Sequence, residues 1–438
     1  MADAHPNRVV VLGGGLAGLS CGLHLAEAGV DVSVHEREAA AGGKATSVTV
    51  EGFSFDVTGH WLHLRDPEMQ ALANRLLPGE WMEVERRARV LSHGVMTRYP
   101  FQANTYGLPP AVVKECLLGF FDAVRQQEAG AAPPDNFYEY ILLHFGEGIA
   151  RHFMVPYNQK MWGVHPREIT AAWCSRFVPR PTLEEVVAGA VGAHAEGLGY
   201  NPRFLYPVSG GIGRLAAAFG HALGPALHLS HAATSIDWRQ RRVRFADGDE
   251  RGYEHLVSSL PLPQLVERLQ DVPESVTEAA ARLRWTTVAY VNYGCRGTVN
   301  RGFHWVYVPE ERFPFYRVGS YSNAAPHLAP DGHGSLYVEM TVPSPEVDWE
   351  MLLPDVRRGL TEAGLIPSED VIVVEDPRVV PVAYVVFDHD CYAARKTIFE
   401  FLDSASVRSI GRYGRWTYGS MEDAMVDGRK TALEIMSP

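Results

Sequence analysis

The sequence lacks an excess of positive charge. Its 438 residues include 40 lysines and arginines against 52 acidic residues, which gives a formal net charge of −12. Proteins that bind nucleic acid or anionic membranes over a broad surface need a basic face. The sequence also lacks any apolar run near the ~18 residues that a membrane-spanning helix requires. We therefore expect neither a nucleic-acid partner nor a membrane span.

Cysteine is scarce as well, with five residues and no CxxC pair. This spacing does not fit a zinc site, and no HExxH or similar cluster predicts a metal ion. No GxSxG sequence is present, so a serine hydrolase has no support. A strand-like run begins at Val9, which leaves no room for a signal peptide. We therefore expect free thiols and a cytoplasmic location.

A glycine-rich motif stands near the N-terminus, between a β-branched run and an apolar-periodic stretch. Its glycines are Gly13, Gly15 and Gly18: the first permits a tight turn, the second lets the backbone approach a pyrophosphate, and the third allows close packing of helix and strand. The helix that starts at Leu16 and Ala17 offers free backbone N–H groups to phosphate. This order of strand, turn and helix predicts a dinucleotide-binding βαβ unit.

An acidic residue, Glu36, ends the second strand 18 residues after the last glycine. A carboxylate at this position accepts hydrogen bonds from ribose hydroxyls. The continuation, REAAAGGKATS, resembles flavoproteins of the amine-oxidase and glutathione-reductase superfamily. That resemblance implies FAD as the cofactor and places Arg37, Gly43 and Lys44 beside it.

The pattern of apolar residues divides the chain into three regions. Residues 1–65, 200–265 and 400–438 predict a discontinuous FAD-binding domain, residues 66–199 a mainly helical insert, and residues 266–399 a β-sheet domain that binds the substrate. The predicted fold class is therefore α/β, with a Rossmann-like FAD-binding domain, a helical insert and an antiparallel β-sheet substrate domain.

Several blocks resemble UDP-galactopyranose mutases of the eukaryotic type and run in the same order along nearly the whole chain. They read TGHWLHL, RYPFQANTYGLP, FMVPYNQKMWGVHP, FLYPVSGGIG, PFYRVGSYSN, AYVVFD and RYGRWTY. The PYN-x-K-x-W and PFYR stretches are the most specific of them. The resemblance implies an FAD-dependent isomerase that interconverts the pyranose and furanose forms of a nucleotide sugar without net redox change.

The same resemblance implies roles for individual residues. His60 is expected beside the flavin ring, Arg176 and Arg317 at the diphosphate of the substrate, and Arg412 near the flavin. The residues nominated for substrate binding are Gln102, Tyr157, Asn158, Trp162, Tyr384 and Tyr418. Core packing for Trp162 and a structural role for His60 stay open as alternatives.

In enzymes of this family, N5 of the reduced flavin attacks the anomeric carbon, and a sugar adduct at N5 forms as the nucleotide diphosphate leaves. Two arginines suit the charge that develops, because a guanidinium binds phosphate in a bidentate way. The expected partners are a nucleotide-diphosphate sugar and a flavin reductant such as NAD(P)H. The sequence leaves the sugar, the base and the oligomeric state open.

A second function fits the glycine-rich motifs. An FAD-dependent oxidase or desaturase of the amine-oxidase type shares these motifs but has no need for paired substrate arginines. The two hypotheses differ in one measurable respect, because only the oxidase or desaturase changes the oxidation state of its substrate.

Overall fold

The computed structural model describes residues 9–174, 178, 180–193, 202–297, 299 and 302–437. The strands in this part of the chain are β1 Val9–Leu12, β2 Val32–His35, β3 Ser47–Val50, β4 Phe53–Asp56, β5 Trp81–Glu85, β6 Ala88–Ser92, β7 Val95–Arg98, β8 Arg203–Pro207, β9 Leu227–His228, β10 Ala233–Asp237, β11 Arg242–Phe245, β12 Glu250–Gly252, β13 His255–Ser258, β14 Trp285–Arg296, β15 Trp305–Tyr307, β16 Arg317–Gly319, β17 His333–Val342, β18 Ile372–Val385 and β19 Val407–Ser409.

The α-helices of the described residues are α1 Leu16–Glu27, α2 Pro67–Leu76, α3 Pro110–Glu128, α4 Phe137–Ile149, α5 Val155–Trp162, α6 Leu183–Ala190, α7 Gly213–Leu223, α8 Leu262–Arg268, α9 Glu274–Ala281, α10 Tyr321–Ala324, α11 Trp349–Glu362, α12 His389–Ser404, α13 Gly411–Gly414 and α14 Met421–Met436. None of these helices combines the length and the hydrophobicity needed to cross a bilayer.

A five-stranded parallel sheet holds the N-terminal motif, with the strand order β19-β13-β1-β2-β9. The four residues of β1 are fully buried, as is typical of a central parallel strand covered on both faces. Helix α1 packs against α7 and α14. All five strands fall within the segments 1–65, 200–265 and 400–438, so distant parts of the chain build one dinucleotide-type sheet.

A seven-stranded sheet forms the second layer, with the order β18-β14-β17-β16-β15-β6-β7. Most neighbouring strands run antiparallel, as the sequence predicts, but β15 and β6 pair in parallel. Strands β6 and β7 come from the segment 66–199, which the sequence analysis assigned to a mainly helical insert. The short, arginine-containing run of β6 (ARVLS) carries a weak strand signal. Its position in the sheet depends on long-range pairing with β15.

The helical part of the chain positions α5 beside this sheet. Asn136 caps α4, and a π-helical turn at Ala150–Met154 joins α4 to α5. Helix α5 ends at Gly163, whose φ of +66° closes the helix in the left-handed conformation. Helix α5 then packs on β17. This places the predicted PYN-x-K-x-W block against the strands that carry the PFYR block.

A buried carboxylate links the β3–β4 hairpin to β8 and to the start of α7. The side chain of Asp56 accepts hydrogen bonds from Ser47 Oγ at 2.6 Å, Tyr206 Oη at 2.6 Å and the backbone N–H of Ile212 at 3.1 Å. Burial raises the pKa of Asp56 to about 6, while its three donors favour the charged form. The FLYPVSGGIG block therefore has a structural function, because it fixes the hairpin of β3 and β4 to the start of α7.

Candidate functional site

The glycine-rich motif forms the turn between β1 and α1. Gly13 has a φ of +97°, and a Cβ atom there would lie 2.4 Å from Ser259 Oγ. A Cβ atom on Gly18 would lie 2.0 Å from the carbonyl oxygen of Gly13. Glycine at both positions therefore lets α1 begin close to β1. Leu16 and Ala17 are buried in the first turn of the helix.

The N-terminus of α1 has the properties of an anion site. Gly15 precedes the helix, and no side chain of the described residues caps it. A Cβ atom on Gly15 would meet nothing within 4 Å. The first amides of a helix have no partner inside the helix and carry the positive end of its dipole. Open space above these amides fits a pyrophosphate group.

Glu36 is oriented for a second part of the same ligand. Its buried carboxylate accepts hydrogen bonds from the backbone N–H of Gly14 at 2.7 Å and of Glu38 at 3.0 Å. Each oxygen accepts one backbone hydrogen bond and keeps a lone pair that ribose hydroxyls can use. Gly43, with a φ of +60°, packs against the Cα atom of Gly15. These residues therefore fit the dinucleotide part of FAD.

The two basic residues predicted beside the cofactor differ in their surroundings. Arg37 is exposed and pairs with Glu38 at 3.0 Å. Lys44 is partly buried, and burial together with the nearby charge of Arg37 lowers the pKa of Lys44. Lys44 also contributes to the electrostatic environment of His60.

His60 is held as a neutral ring. Its Nδ1 atom lies 2.5 Å from the carbonyl oxygen of Val57, which assigns the proton to Nδ1 and leaves a lone pair on Nε2. Burial lowers the pKa of His60 to about 4, and the charges of Arg412, Arg317 and Lys44 act in the same direction. His60 therefore stays neutral at physiological pH, next to three cations.

Arg317 already has a carboxylate partner. Its Nε and Nη2 atoms donate to Glu339 at 2.9 and 2.7 Å, and Tyr316 Oη donates to the same carboxylate at 2.8 Å. Glu339 is 1% exposed and lies directly across from Arg317 on the neighbouring strand. The Nη2 atom also donates to Tyr384 Oη at 3.3 Å, whereas Nη1 has no partner in the described part of the chain. One edge of this guanidinium is thus neutralised and the other is available.

Arg412 has no carboxylate partner among the described residues. Its guanidinium donates to the backbone carbonyls of Ala383 at 3.1 Å and Gly419 at 3.4 Å. Its Nε atom is buried and has no hydrogen-bond partner within those residues. Burial disfavours the charge, but neighbouring tyrosines raise the pKa of Arg412 above its ordinary value, so the group stays a cation.

Tyrosine rings surround this cation. The Cζ atom of Arg412 lies 4.9 Å from the ring centroid of Tyr418, 5.1 Å from that of Tyr384 and 5.5 Å from that of Tyr413. Tyr384 and Tyr418 stack on each other with their centroids 6.3 Å apart. A cation within about 6 Å of a ring face is attracted by the ring. The structure therefore brings Arg412, Arg317, Tyr384 and Tyr418 together.

The other residues nominated for substrate binding lie around this group with different roles. Tyr157 is buried, stacks on Phe153 and meets the ring of Tyr307 edge-on at 5.2 Å. Trp162 is 1% exposed and packs edge-on against Tyr384 at 5.7 Å, so in this conformation it supports the site from the core. Asn158 donates to the carbonyl of Met154 at 2.7 Å within its own helix.

Gln102 and Arg176 complete the set of predicted substrate residues. Gln102 is buried in a short 3₁₀ turn, Phe101–Ala103, whose phenylalanine stacks on Phe153. Arg176, the other arginine expected at the diphosphate, lies outside the described residues. Among the residues that the structure describes, no group of three or more His, Cys, Asp or Glu side chains could hold a metal ion.

Lys160 of the PYN-x-K-x-W block binds three backbone carbonyls. Its Nζ atom lies 3.1 Å from the oxygen of Val308, 2.9 Å from that of Glu310 and 2.6 Å from that of Phe315. Burial lowers the pKa of Lys160 to about 7, yet three acceptors use all three hydrogens of an ammonium group. Lys160 thus ties α5 to the turn that leads into Tyr316 and Arg317.

Sequence reasoning missed several residues of this site. Glu339 and Tyr307 carry no local signal, because each meets Arg317 only across the sheet. Tyr316 and Tyr413 stand inside the PFYR and RYGRWTY blocks, directly beside the nominated arginines, so the blocks themselves could have indicated them. Lys160 lies within a quoted block, but its three carbonyl partners are visible only in the fold.

The chain matches the family model described as flavin containing amine oxidoreductase over residues 16–436. Over its whole length it resembles the crystal structure of a reduced UDP-galactopyranose mutase, with a TM-score of 0.93, 26% identity, and coverage of 99% of this chain and 94% of that one. A putrescine oxidase structure with bound putrescine has the same fold, with a TM-score of 0.68 and 16% identity over 99% of each chain.

The curated relatives include desaturases and a sugar mutase. A zeta-carotene-forming phytoene desaturase of Myxococcus xanthus is 23% identical, with 85% of this chain and 81% of that protein covered. A carotenoid 3,4-desaturase of Haloarcula japonica is 42% identical over 66 residues, which is 15% of this chain and 13% of that protein. A dTDP-fucopyranose mutase of Escherichia coli is 24% identical over 40% of this chain and 46% of that protein. These matches establish a flavoprotein fold that implies FAD.

The cofactor cradle can be tested with two glycine variants. Gly15→Ala adds a methyl group in open space, so we expect unchanged thermal stability of the flavin-free protein but FAD binding at least about tenfold weaker. Gly18→Ala instead forces the turn apart and should lower the stability of the flavin-free protein itself. Differential scanning fluorimetry and FAD titration measure both effects. FAD affinity equal to wild type in Gly15→Ala would contradict the placement of the pyrophosphate.

The link made by Lys160 predicts a stability effect. Lys160→Met leaves three carbonyls without their charged donor and should reduce the free energy of unfolding by about 2–4 kcal/mol. The control, Lys396→Met, removes an exposed lysine that faces only Glu400 across one helical turn and should change it by less than about 0.5 kcal/mol. Equal effects of the two substitutions on chemical denaturation would show that the three contacts contribute little.

Proposed function

This chain belongs to the flavin containing amine oxidoreductase family, and within that family we propose that it is an FAD-dependent isomerase that interconverts the pyranose and furanose forms of a nucleotide-diphosphate sugar. The observation that carries the proposal is the partly buried guanidinium of Arg412, whose Nε atom is buried and which has no carboxylate partner among the described residues. A buried cation in this state favours an anionic ligand.

The charges of the site support a diphosphate as that ligand. Glu339 balances Arg317, and His60 is neutral, so Arg412 contributes an uncompensated positive charge. The free Nη1 edge of Arg317 adds two donors in a planar arrangement that suits phosphate oxygens. A leaving diphosphate develops negative charge in the transition state, and donors already fixed in position stabilise that charge without reorganising.

The tyrosine hydroxyls differ in whether they are free to donate a hydrogen bond to a ligand. Tyr316 Oη is committed to Glu339 and Tyr413 Oη to the carbonyl of Ala383 at 3.2 Å. Tyr384 Oη accepts a hydrogen bond from Arg317, which leaves its own hydrogen free to donate. We therefore assign Tyr384 as a hydroxyl donor to a phosphate oxygen, held in place by the stack with Tyr418 and the edge of Trp162.

In this proposal the cofactor cradle and His60 serve the same reaction. Gly13, Gly15, Gly18 and Glu36 would hold the dinucleotide, and the reduced flavin would supply a nucleophilic nitrogen when bound. His60 would be a neutral neighbour of the flavin. The positive charge of Arg412 would then stabilise the leaving group. The reaction then needs a flavin reductant such as NAD(P)H. We also propose a cytoplasmic location, in keeping with five buried, unpaired cysteines.

The desaturase hypothesis rests on a different observation, the match with a carotenoid desaturase over 85% of this chain. A hydrocarbon substrate offers no charge to a buried guanidinium, and burying that cation without an anion is costly. The resemblance to a mutase structure over 99% of the chain and the match with a dTDP-fucopyranose mutase agree with the charged site. The geometry therefore favours the isomerase.

The proposal predicts that only the reduced protein is active. Anaerobic, dithionite-reduced protein is incubated with a panel of UDP- and dTDP-sugars, and the isomers are separated by chromatography. We expect a new isomer of unchanged mass with reduced protein and none with oxidised protein. A product two mass units lighter would support the desaturase or oxidase instead.

Two matched variants test the position of the substrate by nucleotide binding. Tyr384→Phe removes one donor to the diphosphate and should weaken UDP or dTDP binding about tenfold or more, with flavin content unchanged. Tyr392→Phe, at an exposed tyrosine on α12, should leave both unchanged. If wild-type protein binds no nucleoside diphosphate, the proposed function is wrong.

A further inference from the structure

The loop that carries His60 contains a strained residue. Thr58 has a φ of +59°, which lies in the left-handed region that β-branched side chains avoid. Eight non-glycine residues of the described chain have a positive φ, and Thr58 is the β-branched residue among them. Such a conformation persists only where the surrounding structure imposes it. The contacts of this loop therefore identify what holds Thr58 in it.

The glycine that follows Thr58 does not relieve this strain. Gly59 could adopt a left-handed conformation at little cost, but its φ lies outside that region. The glycine is needed for a different reason, because a Cβ atom on Gly59 would lie 2.2 Å from Tyr337 Oη. Gly59 thus makes room for a tyrosine, and the left-handed turn of the loop falls on Thr58.

A second tyrosine holds the backbone around this turn. Tyr321 is fully buried, and its Oη atom lies 2.8 Å from the carbonyl oxygen of Asp56 and 3.2 Å from that of Thr58. One hydroxyl hydrogen is shared between the two carbonyls. The backbone N–H of Val57 donates to the carbonyl of Thr46 at 3.2 Å. The peptide units on both sides of Thr58 N are therefore fixed in position.

The same two tyrosines connect the loop to the sheet that carries Arg317. Tyr337 lies on β17 directly across from Gly319, and its ring centroid is 4.7 Å from that of Tyr321. A Cβ atom on Gly319 would lie 2.0 Å from Tyr337 Cζ, so the ring packs directly on this strand. Strand β16 contains both Arg317 and Gly319. The packing of the tyrosines therefore sets the loop against the strand of the arginine.

The state of the His60 ring depends on this turn. Its Nδ1 atom lies 2.5 Å from the carbonyl oxygen of Val57, three residues earlier in the chain, with Thr58 and Gly59 between them. This contact puts the proton of the neutral imidazole on Nδ1 and leaves a lone pair on Nε2. If the turn at Thr58 were lost, the ring could rotate, adopt either tautomer and gain access to water, and its pKa would rise toward the ordinary value.

We propose that Thr58 and Tyr321 are positioning residues that keep the ring of His60 in one orientation and one tautomer beside the flavin. The inference rests on the proposed function in one respect, since it takes the flavin to lie next to His60. Both residues act through His60, so their effect is expected on the state of its ring. A group held in this way is preorganised for a ligand before the ligand binds.

Nitrogen-15 NMR of the histidine rings tests the proposal in FAD-loaded, oxidised protein, with His60→Gln to assign the signals. From about pH 5.5 to 8, we expect wild-type His60 to remain the neutral Nδ1–H tautomer, because burial and the charges of Arg412, Arg317 and Lys44 keep its pKa at about 4. Thr58→Gly frees the backbone and should give both tautomers and protonation within this range. Tyr321→Phe removes the shared hydrogen bond and should act in the same direction.

Two controls separate positioning from a general effect on the backbone. Thr58→Asn should keep the wild-type signals, because asparagine tolerates the left-handed region. Ser406→Gly, at an exposed left-handed residue after α12, should leave His60 unchanged. The proposal is overturned if wild-type His60 shows both tautomers, or if Thr58→Gly and Tyr321→Phe both retain the wild-type tautomer and stay neutral throughout. No sugar is present, so an isomerase reaction that fails in a separate assay would overturn the proposed function alone.

Discussion

Holding a guanidinium away from water without a carboxylate is costly unless an anion compensates it, and Arg412 is a partly buried arginine in this state. Two backbone carbonyls fix its orientation, three tyrosine rings surround it, and its Nε atom has no partner in the described chain. Arg317 is the contrasting case, because Glu339 neutralises it at the adjacent position of the sheet. The difference between the two arginines leaves the site with a net positive charge, and the proposed function assigns this charge to an anionic substrate.

The fold assembles this charge from segments that are far apart in the chain. Arg412 comes from the turn after β19, Arg317 and Glu339 from the seven-stranded sheet, and Tyr384 from the end of β18. Lys160 connects α5 to the turn before Arg317 through three carbonyl contacts. Relatives with this fold include desaturases and mutases, so the fold alone does not determine the reaction. In the proposed function, the arrangement of charge in the site is what separates the two.

The parts of the structure that the sequence predicted are those with local causes. The turn at Gly13–Gly18 and the carboxylate of Glu36 depend on steric and hydrogen-bonding needs within one βαβ unit, and the structure forms them as expected. The Arg317–Glu339 pair depends on the register of two strands joined by a long connection, which no local pattern encodes. Strand β6 fails to stand out for a similar reason, since its pairing partner β15 lies more than 200 residues away, and β7 pairs with β6 alone among the described strands. The buried position of Trp162 likewise depends on residues far away in the chain, such as Tyr384.

The central claim is that this buried positive charge stabilises a nucleotide diphosphate as it leaves the anomeric carbon. Positional isotope exchange tests it most directly. The substrate is a nucleotide sugar in which ¹⁸O is the oxygen that bridges the anomeric carbon and phosphorus. Cleavage and return of the diphosphate scrambles the label between bridging and non-bridging oxygens, which ³¹P NMR resolves. We predict scrambling with reduced protein and none with oxidised protein. Binding of the nucleotide sugar by reduced protein without any scrambling would contradict the account.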